Sequence, residues 1–224
     1  GRTGLVSSLG LDLLMSHLAC ADTPDHPLNQ PQLSRFNAAR AMFPPLPASL
    51  ANSAGVFLGT DYHFDLVRPG IALYGGEAIG GLPNPMRPVA TLEARILQVK
   101  DALHGETVGY GGTEALDRTS RLAVLAVGYA DGYPRHASSS DERPGARVFT
   151  HGHAAPLVGR VSMDLVTIDV TEIAGAQRGD WVELFGPNIP VDEVAERAGT
   201  IGYELLTHLG RRYHRRYVGG TDAP

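Results

Sequence analysis

Tyr110 stands in Val108-Gly109-Tyr110-Gly111-Gly112, an aromatic ring on a backbone with little side-chain cover. A phenol held out in this way can be presented to a substrate. To act as a base its pKa must fall from about 10, which a neighbouring arginine or a hydrogen-bonded histidine assists. A turn with an exposed tyrosine has the same local sequence. Arg68 lies in Asp65-Leu66-Val67-Arg68-Pro69-Gly70-Ile71-Ala72-Leu73-Tyr74-Gly75. This short apolar run reads as a buried strand, where a guanidinium requires an acceptor. Gly70 and Ile71 can offer backbone N–H groups to an anion, since glycine lets a ligand approach the main chain. A buried cation and a phosphate cradle would then sit side by side; an arginine paired with a carboxylate is the plainer reading. His17, near the end of another apolar run, is the histidine best placed for chemistry, against the commoner structural imidazole.

Other motifs carry less. Gly159-Arg160-Val161-Ser162-Met163-Asp164 is not a nucleophile elbow, because Asp164 stands where the second glycine belongs. No S-x-x-K pair exists, since Ile96 and Leu97 precede Lys100 by four and three residues. His151-Gly152-His153 has the spacing of a hairpin tip, and no metal is assigned to it. Arg211-Arg212-Tyr213-His214-Arg215-Arg216-Tyr217 alternates like a solvated terminal strand rather than a nucleic-acid stripe.

The elements that must position these residues fall into two styles. Leu11 to Ala19 is expected as a strand ending near His17. Asn29 is expected to cap a helix with Pro31 in its first turn, and Leu33, Phe36, Ala39 and Phe43 share its apolar face. Leu50 to Gly55 reads as a strand end and turn, followed by the Arg68 strand. Strands and a helix with short connectors point to parallel βα units. Three strands cannot close a barrel, so bare edges and association are expected. Gly and Pro crowd residues 76–90, and the boundary is placed there, dividing 1–87 from 88–224. Beyond it the pattern becomes all-β: Ala90–Val99, Arg121–Val127, Ala146–Thr150, Pro156–Val161, Leu165–Val170 and Trp181–Phe185. Their regular spacing suggests a small barrel or sandwich. Pro190–Ala198 reads as a short amphipathic helix, and Thr200 as the cap of a second one ended by Gly210.

Composition narrows the function class. With 224 residues, 43% hydrophobic and 19% charged, the chain is an ordinary globular protein of one large or two small domains. No apolar run approaches the roughly 20 residues that span a bilayer. The first residue is Gly1, which is read as a chain processed, excised or incomplete at its start. Cys20 is the single cysteine, as expected of a reducing, cytoplasmic compartment. A net charge of −5 argues against nucleic acid or an anionic membrane as partner. Lys100 is the only lysine.

Six segments, taken in order, are similar to the alanine racemase family over its C-terminal half to two-thirds. They are Met15–Asp22, Ala51–Ala54, Val67–Gly75, Val108–Gly111, Val127–Gly132 and Val158–Asp164. The resemblance implies a pyridoxal-phosphate (β/α)8 barrel, here its last strands only, followed by a C-terminal β domain. It implies a homodimer whose sites each combine one subunit's barrel with the other's β domain, in the cytoplasmic supply of D-alanine to peptidoglycan. Tyr110 would be the acid/base acting on the α-proton of L-alanine. His17 would hydrogen-bond it, and Arg68 would stand behind His17 and face the pyridine nitrogen. Ser53 with the N–H groups of Gly70 and Ile71 would hold the cofactor phosphate. The N–H of Met163 would bind the substrate carboxylate, Tyr129 would line the mouth, and Arg2 would touch tyrosine and substrate. The family's phosphate-binding tyrosine falls at Arg211, with Tyr213 close by. Its cofactor-anchoring lysine precedes this sequence, so the chain is expected not to racemise alanine alone. Alternatives are a promiscuous hydrolase using Tyr110, Ser53 or Ser162 with His17, and a binding module.

Overall fold

The computed structural model describes residues 10–219. The expected contact through Arg2 lies outside them. The chain divides into two compact units, Gly1–Val89 and Ala90–Pro224.

In the first unit, β1 (Leu14–Met15) pairs in parallel with β2 (Ala48–Ser49). Between them runs α1 (Asn29–Arg40), whose Leu33 and Phe36 are buried with Leu18, Leu50, Ala51 and Tyr62. Phe36 meets Phe64 edge to face with ring centroids 5.0 Å apart. Asn29 does not cap this helix. It is the first helical residue, and its amide donates to the carbonyls of Thr23 and Pro24 at 3.0 Å, tying down the preceding loop. The Asp65–Gly75 run does not form a regular strand either. The amides of Asp65 and Arg68 donate to the carbonyls of Ala48 and Ala51, and Asn52 and Arg68 form a single parallel bridge. Pro69 then removes a donor, and the chain tightens into a 3-10 turn, Ile71–Tyr74. A third parallel segment is therefore present, shortened by its own proline. Short α2 (Ser53–Phe57) replaces the expected turn after β2.

The second unit is a six-stranded sheet. Its strands are β3 (Leu92–Ala102), β4 (Ser120–Leu125), β5 (Arg147–Thr150), β6 (His153–Pro156), β7 (Val166–Asp169) and β8 (Trp181–Phe185). They lie in the order β6-β5-β8-β3-β4-β7. A bridge between Leu157 and Ile168 joins the two edges, so the sheet nearly closes on itself. Strand β3 makes this possible: its first half pairs with β8 and its second with β4, and the register shifts between Ile96 and Gln98. Side chains alternate as a half-buried sheet requires. Val166, Ile168 and Val170 are fully buried while Thr167 and Asp169 are half-exposed. The expected strand at 156–161 arrives earlier, as β6, because it pairs with β5 through the two-residue turn His151-Gly152. Helices α3 (Val191–Arg197) and α4 (Gly202–His208) follow. Thr200 is not a backbone cap; its hydroxyl donates to the Glu204 carboxylate. The Arg211–Tyr217 stretch is irregular, not a strand.

One buried carboxylate organises the sheet's outer turn. Glu183 on β8 accepts from the amides of Asn188 at 2.8 Å and Ile189 at 2.9 Å and from the Asn188 side chain at 2.7 Å. Replacing Glu183 by Gln removes an acceptor oxygen and faces one buried N–H with another. We expect Glu183→Gln to destabilise this unit by about 1–3 kcal/mol. The single tryptophan, Trp181, lies two residues away, so urea unfolding followed by its fluorescence would show a lowered midpoint at unchanged slope.

Candidate functional site

Arg68 gathers the carboxyl ends of the three parallel segments in the first unit. One guanidinium nitrogen donates to Ser49 Oγ, and the other to the Ser16 carbonyl at 2.7 Å. That second nitrogen also lies 3.4 Å from His17 Nδ1. Among the described residues no carboxylate pairs with Arg68, so the expected buried acceptor consists of neutral oxygens. Its full positive charge is therefore turned toward the imidazole. Asn52 reaches the other ring nitrogen, Nε2, at 3.3 Å. Its own Oδ1 is occupied, accepting from Gly55 N–H at 2.9 Å as the cap of α2. A neutral imidazole accepts at one nitrogen and donates at the other. Both neighbours are donors, so only one of them is satisfied by the neutral ring at a time.

Ser53 follows Asn52. Its side chain is buried, and its oxygen accepts from Gly70 N–H at 2.7 Å and more weakly from Ala72 N–H at 3.5 Å. With two donors on the oxygen, the hydroxyl proton is available to an acceptor beyond. The N–H of Ile71 meets no acceptor among the described residues. A serine hydroxyl and a free backbone N–H beside a glycine make a donor set suited to a phosphate monoester. Gly70 belongs to this set through Ser53 rather than by an idle N–H. The arrangement follows from where the segments end: His17 lies just past β1, Asn52 and Ser53 just past β2, and Arg68 to Ile71 past the third segment. Open α/β sheets place ligand sites at such carboxyl ends.

In the second unit, Tyr110 occupies the tip of a loop closed by a bridge between Thr107 and Ala115. The ring is 72% exposed. The loop is braced from below: the Glu114 carboxylate accepts from Gly159 N–H at 2.5 Å. Gly159 has φ +73°, and a Cβ there would lie 2.5 Å from the Val108 carbonyl. Only glycine lets the two segments approach this closely. Arg160 reaches the same loop, its guanidinium 3.1 Å from where a Cβ on Gly111 would lie.

Tyr129 and Met163 are held against each other by backbone. Tyr129 N–H donates to the Ser162 carbonyl and Ala130 N–H to that of Met163, both at 3.0 Å. The N–H of Met163 meets no acceptor among the described residues, and both side chains are substantially exposed. Ser162 spends its hydroxyl on the Leu165 carbonyl at 2.9 Å. Among the described residues no basic side chain hydrogen-bonds either serine oxygen. Lys100 is exposed on β3. His151 pairs with Asp180 at 2.7 Å, and no group of three or more metal-ligating side chains occurs among the described residues.

The site residues therefore fall into two sets: His17, Ser53, Arg68, Gly70 and Ile71 in the first unit, and Tyr110, Tyr129 and Met163 in the second. Sequence reading passed over Asn52, Ser49, Glu114 and Arg160. Asn52 carried a signal, since Asn-Ser before a small-residue run is a cap sequence. Ser49 and Glu114 had none, because their partners lie 19 and 45 residues away.

The alanine racemase C-terminal domain profile matches residues 89–217, and the N-terminal domain profile of the same family matches 4–78. An alanine racemase of Rhizobium meliloti is 56% identical over 216 residues, covering 93% of this chain and 57% of that protein. A biosynthetic alanine racemase of Agrobacterium fabrum is 56% identical over 218 residues, covering 94% and 56%. Among solved structures, the alanine racemase of Bartonella henselae, with covalently bound pyridoxal phosphate, has a TM-score of 0.86 at 43% identity. It covers 95% of this chain and 58% of that one. The chain thus spans a little over half the length of the curated relatives it matches.

Truncating Asn52 tests the local geometry. Asn52→Ala should cost about 1 kcal/mol in the first unit, as loss of a cap does. Hydrogen exchange at the Gly55 amide should accelerate accordingly; unchanged exchange there would contradict the cap.

Proposed function

The chain belongs to the alanine racemase family, and from that premise we propose that it carries the pyridoxal-phosphate and proton-transfer residues for interconverting L- and D-alanine. The observation that supports this best is the Arg68–His17 contact beside the Ser53 and Ile71 donors. It puts a permanent cation and a phosphate-type donor set at one edge of one sheet.

Ser53 O–H and Ile71 N–H would hold the cofactor phosphate, with Gly70 fixing the serine. Arg68 would face the pyridine nitrogen. Pyridoxal phosphate, when bound, supplies an electron sink for the substrate α-carbon. An arginine keeps its proton against any pyridine, so Arg68 would donate a hydrogen bond there without protonating the ring. That restrains the sink and discourages side reactions. The alanine carboxylate would accept from Met163 N–H, and Tyr129 would narrow the approach. Tyr110 would take and return the α-proton on one face, its phenolate favoured by the His17–Arg68 charge. In this reading Tyr110 comes from the second unit of one subunit and His17 from the first unit of another, so the working form is a homodimer. Arg2 is assigned beside Tyr110 by resemblance.

Racemisation requires bases on both faces, and in the family pattern the second is the cofactor-anchoring lysine. Lys100 lies on β3 of the sheet domain and does not match that position. These 224 residues by themselves should therefore bind pyridoxal phosphate reversibly, without fixation by borohydride. They should produce D-alanine no faster than free cofactor does. Robust turnover by the purified chain, or borohydride attachment at Lys100, would overturn this assignment. Ser53→Ala should weaken cofactor affinity roughly 10- to 100-fold, the worth of a hydrogen bond to a charged group. Equal affinity in an absorbance titration would remove Ser53 from the phosphate site.

A further inference from the structure

Arg212 follows the residue that matches the family's phosphate contact, and the functional reading above gives it no part. Its guanidinium nevertheless spans two carboxylates. Nε lies 3.1 Å from Asp131 Oδ1, and an Nη nitrogen lies 2.7 Å from Asp164 Oδ1. Asp131 closes the turn that begins with Tyr129, and Asp164 is the neighbour of Met163. We propose that Arg212 is a positioning residue for substrate recognition. It clamps the Tyr129 turn to the Met163 turn, and so sets the spacing between the Tyr129 ring and the Met163 N–H.

The surrounding geometry supports a clamp rather than a stray surface pair. Asp131 is 8% exposed. Its other oxygen accepts from Gly128 N–H at 2.9 Å, so one carboxylate holds both the start of the turn and the arginine. Its backbone carbonyl accepts from Gly210 N–H at 3.2 Å. The C-terminal segment also presses on the turn sterically. Gly132 has φ +99°, and a Cβ there would lie 2.0 Å from the His208 carbonyl. On the inner side, Tyr213 packs against the core that contains Tyr133. Neither buried hydroxyl meets a hydrogen-bond partner among the described residues, and burial pushes both phenols well above the ordinary tyrosine range. Tyr213 thus anchors the segment in the core next to the arginine that pairs with the two turns. The planar fork of arginine suits two acceptors at once; a lysine ammonium is a point charge without that span.

The inference rests on the racemase reading for the word substrate, and the test separates the two. Asp164→Ala removes only the exposed arm and leaves the Asp131 pair in place, so folding is spared. Arg212→Lys keeps the charge and loses the fork. Hydrogen exchange by mass spectrometry on the purified chain reads the clamp directly, without ligand or turnover. Both variants should exchange faster across residues 128–131 and 162–165, roughly two- to fivefold, the scale of one half-exposed ion pair. Peptides from β3 and β4 should be unchanged. Unaltered exchange in both turns would overturn the clamp. In an assembly loaded with pyridoxal phosphate and supplied with the family's lysine-bearing segment, both variants should raise the KM for alanine by a similar factor, with kcat changed less. Faster exchange with an unchanged KM would leave a structural brace and overturn the positioning role. If that lysine-supplied assembly with Arg212 intact turns over no alanine, the racemase reading falls, and the substrate role of Arg212 falls with it.

Discussion

A guanidinium without a carboxylate is the constraint around which the first unit is arranged. Burying part of a cation is tolerable only when each N–H finds an oxygen. Arg68 finds them on Ser49 and Ser16, one from each of the other two parallel segments. The three chain ends are drawn together by this one side chain. Because its acceptors are neutral, its charge is not cancelled and bears on His17. A partnering aspartate would have held the segments equally well and left nothing for the imidazole. The same contacts fix where Asn52 and Ser53 emerge from β2, and with them the donors that suit a phosphate.

The second unit uses a different device. The residues proposed for chemistry there, Tyr110, Tyr129 and Met163, have exposed side chains, so packing does not hold them. Backbone does. Close approaches at Gly159 and Gly132 let neighbouring segments lie against each other at distances a Cβ would forbid. Carboxylates then finish the work: Glu114 takes the Gly159 amide, and Asp131 takes that of Gly128. Backbone braced under exposed side chains would suit the proposed site, in which another subunit completes the pocket.

Much of this was legible in the residue pattern. Alternation along Val166–Val170 announced a one-sided strand, because the side-chain period of two is a local property. The turn at His151-Gly152 was readable for the same reason, and the six family segments survived as short runs in order. The misreadings were all assignments by local propensity. Asn29 and Thr200 took other partners four to six residues away, and Pro69 withheld a donor from the Arg68 run. Asn29 serves loop carbonyls instead of its helix; Pro69 breaks the ladder that the apolar run would have continued.

The sequence by itself determined the family and the fold class, and it offered a phenol, an imidazole and a guanidinium as candidates for chemistry, since all of these are written in residue type and short-range order. The tertiary structure decided what those groups touch. It made the acceptors of Arg68 neutral, routed the Gly70 amide to Ser53, and placed Arg212 between Asp131 and Asp164. These are contacts across 17 to 81 residues of chain, and no local periodicity encodes a pairing whose partners meet only when the chain has folded.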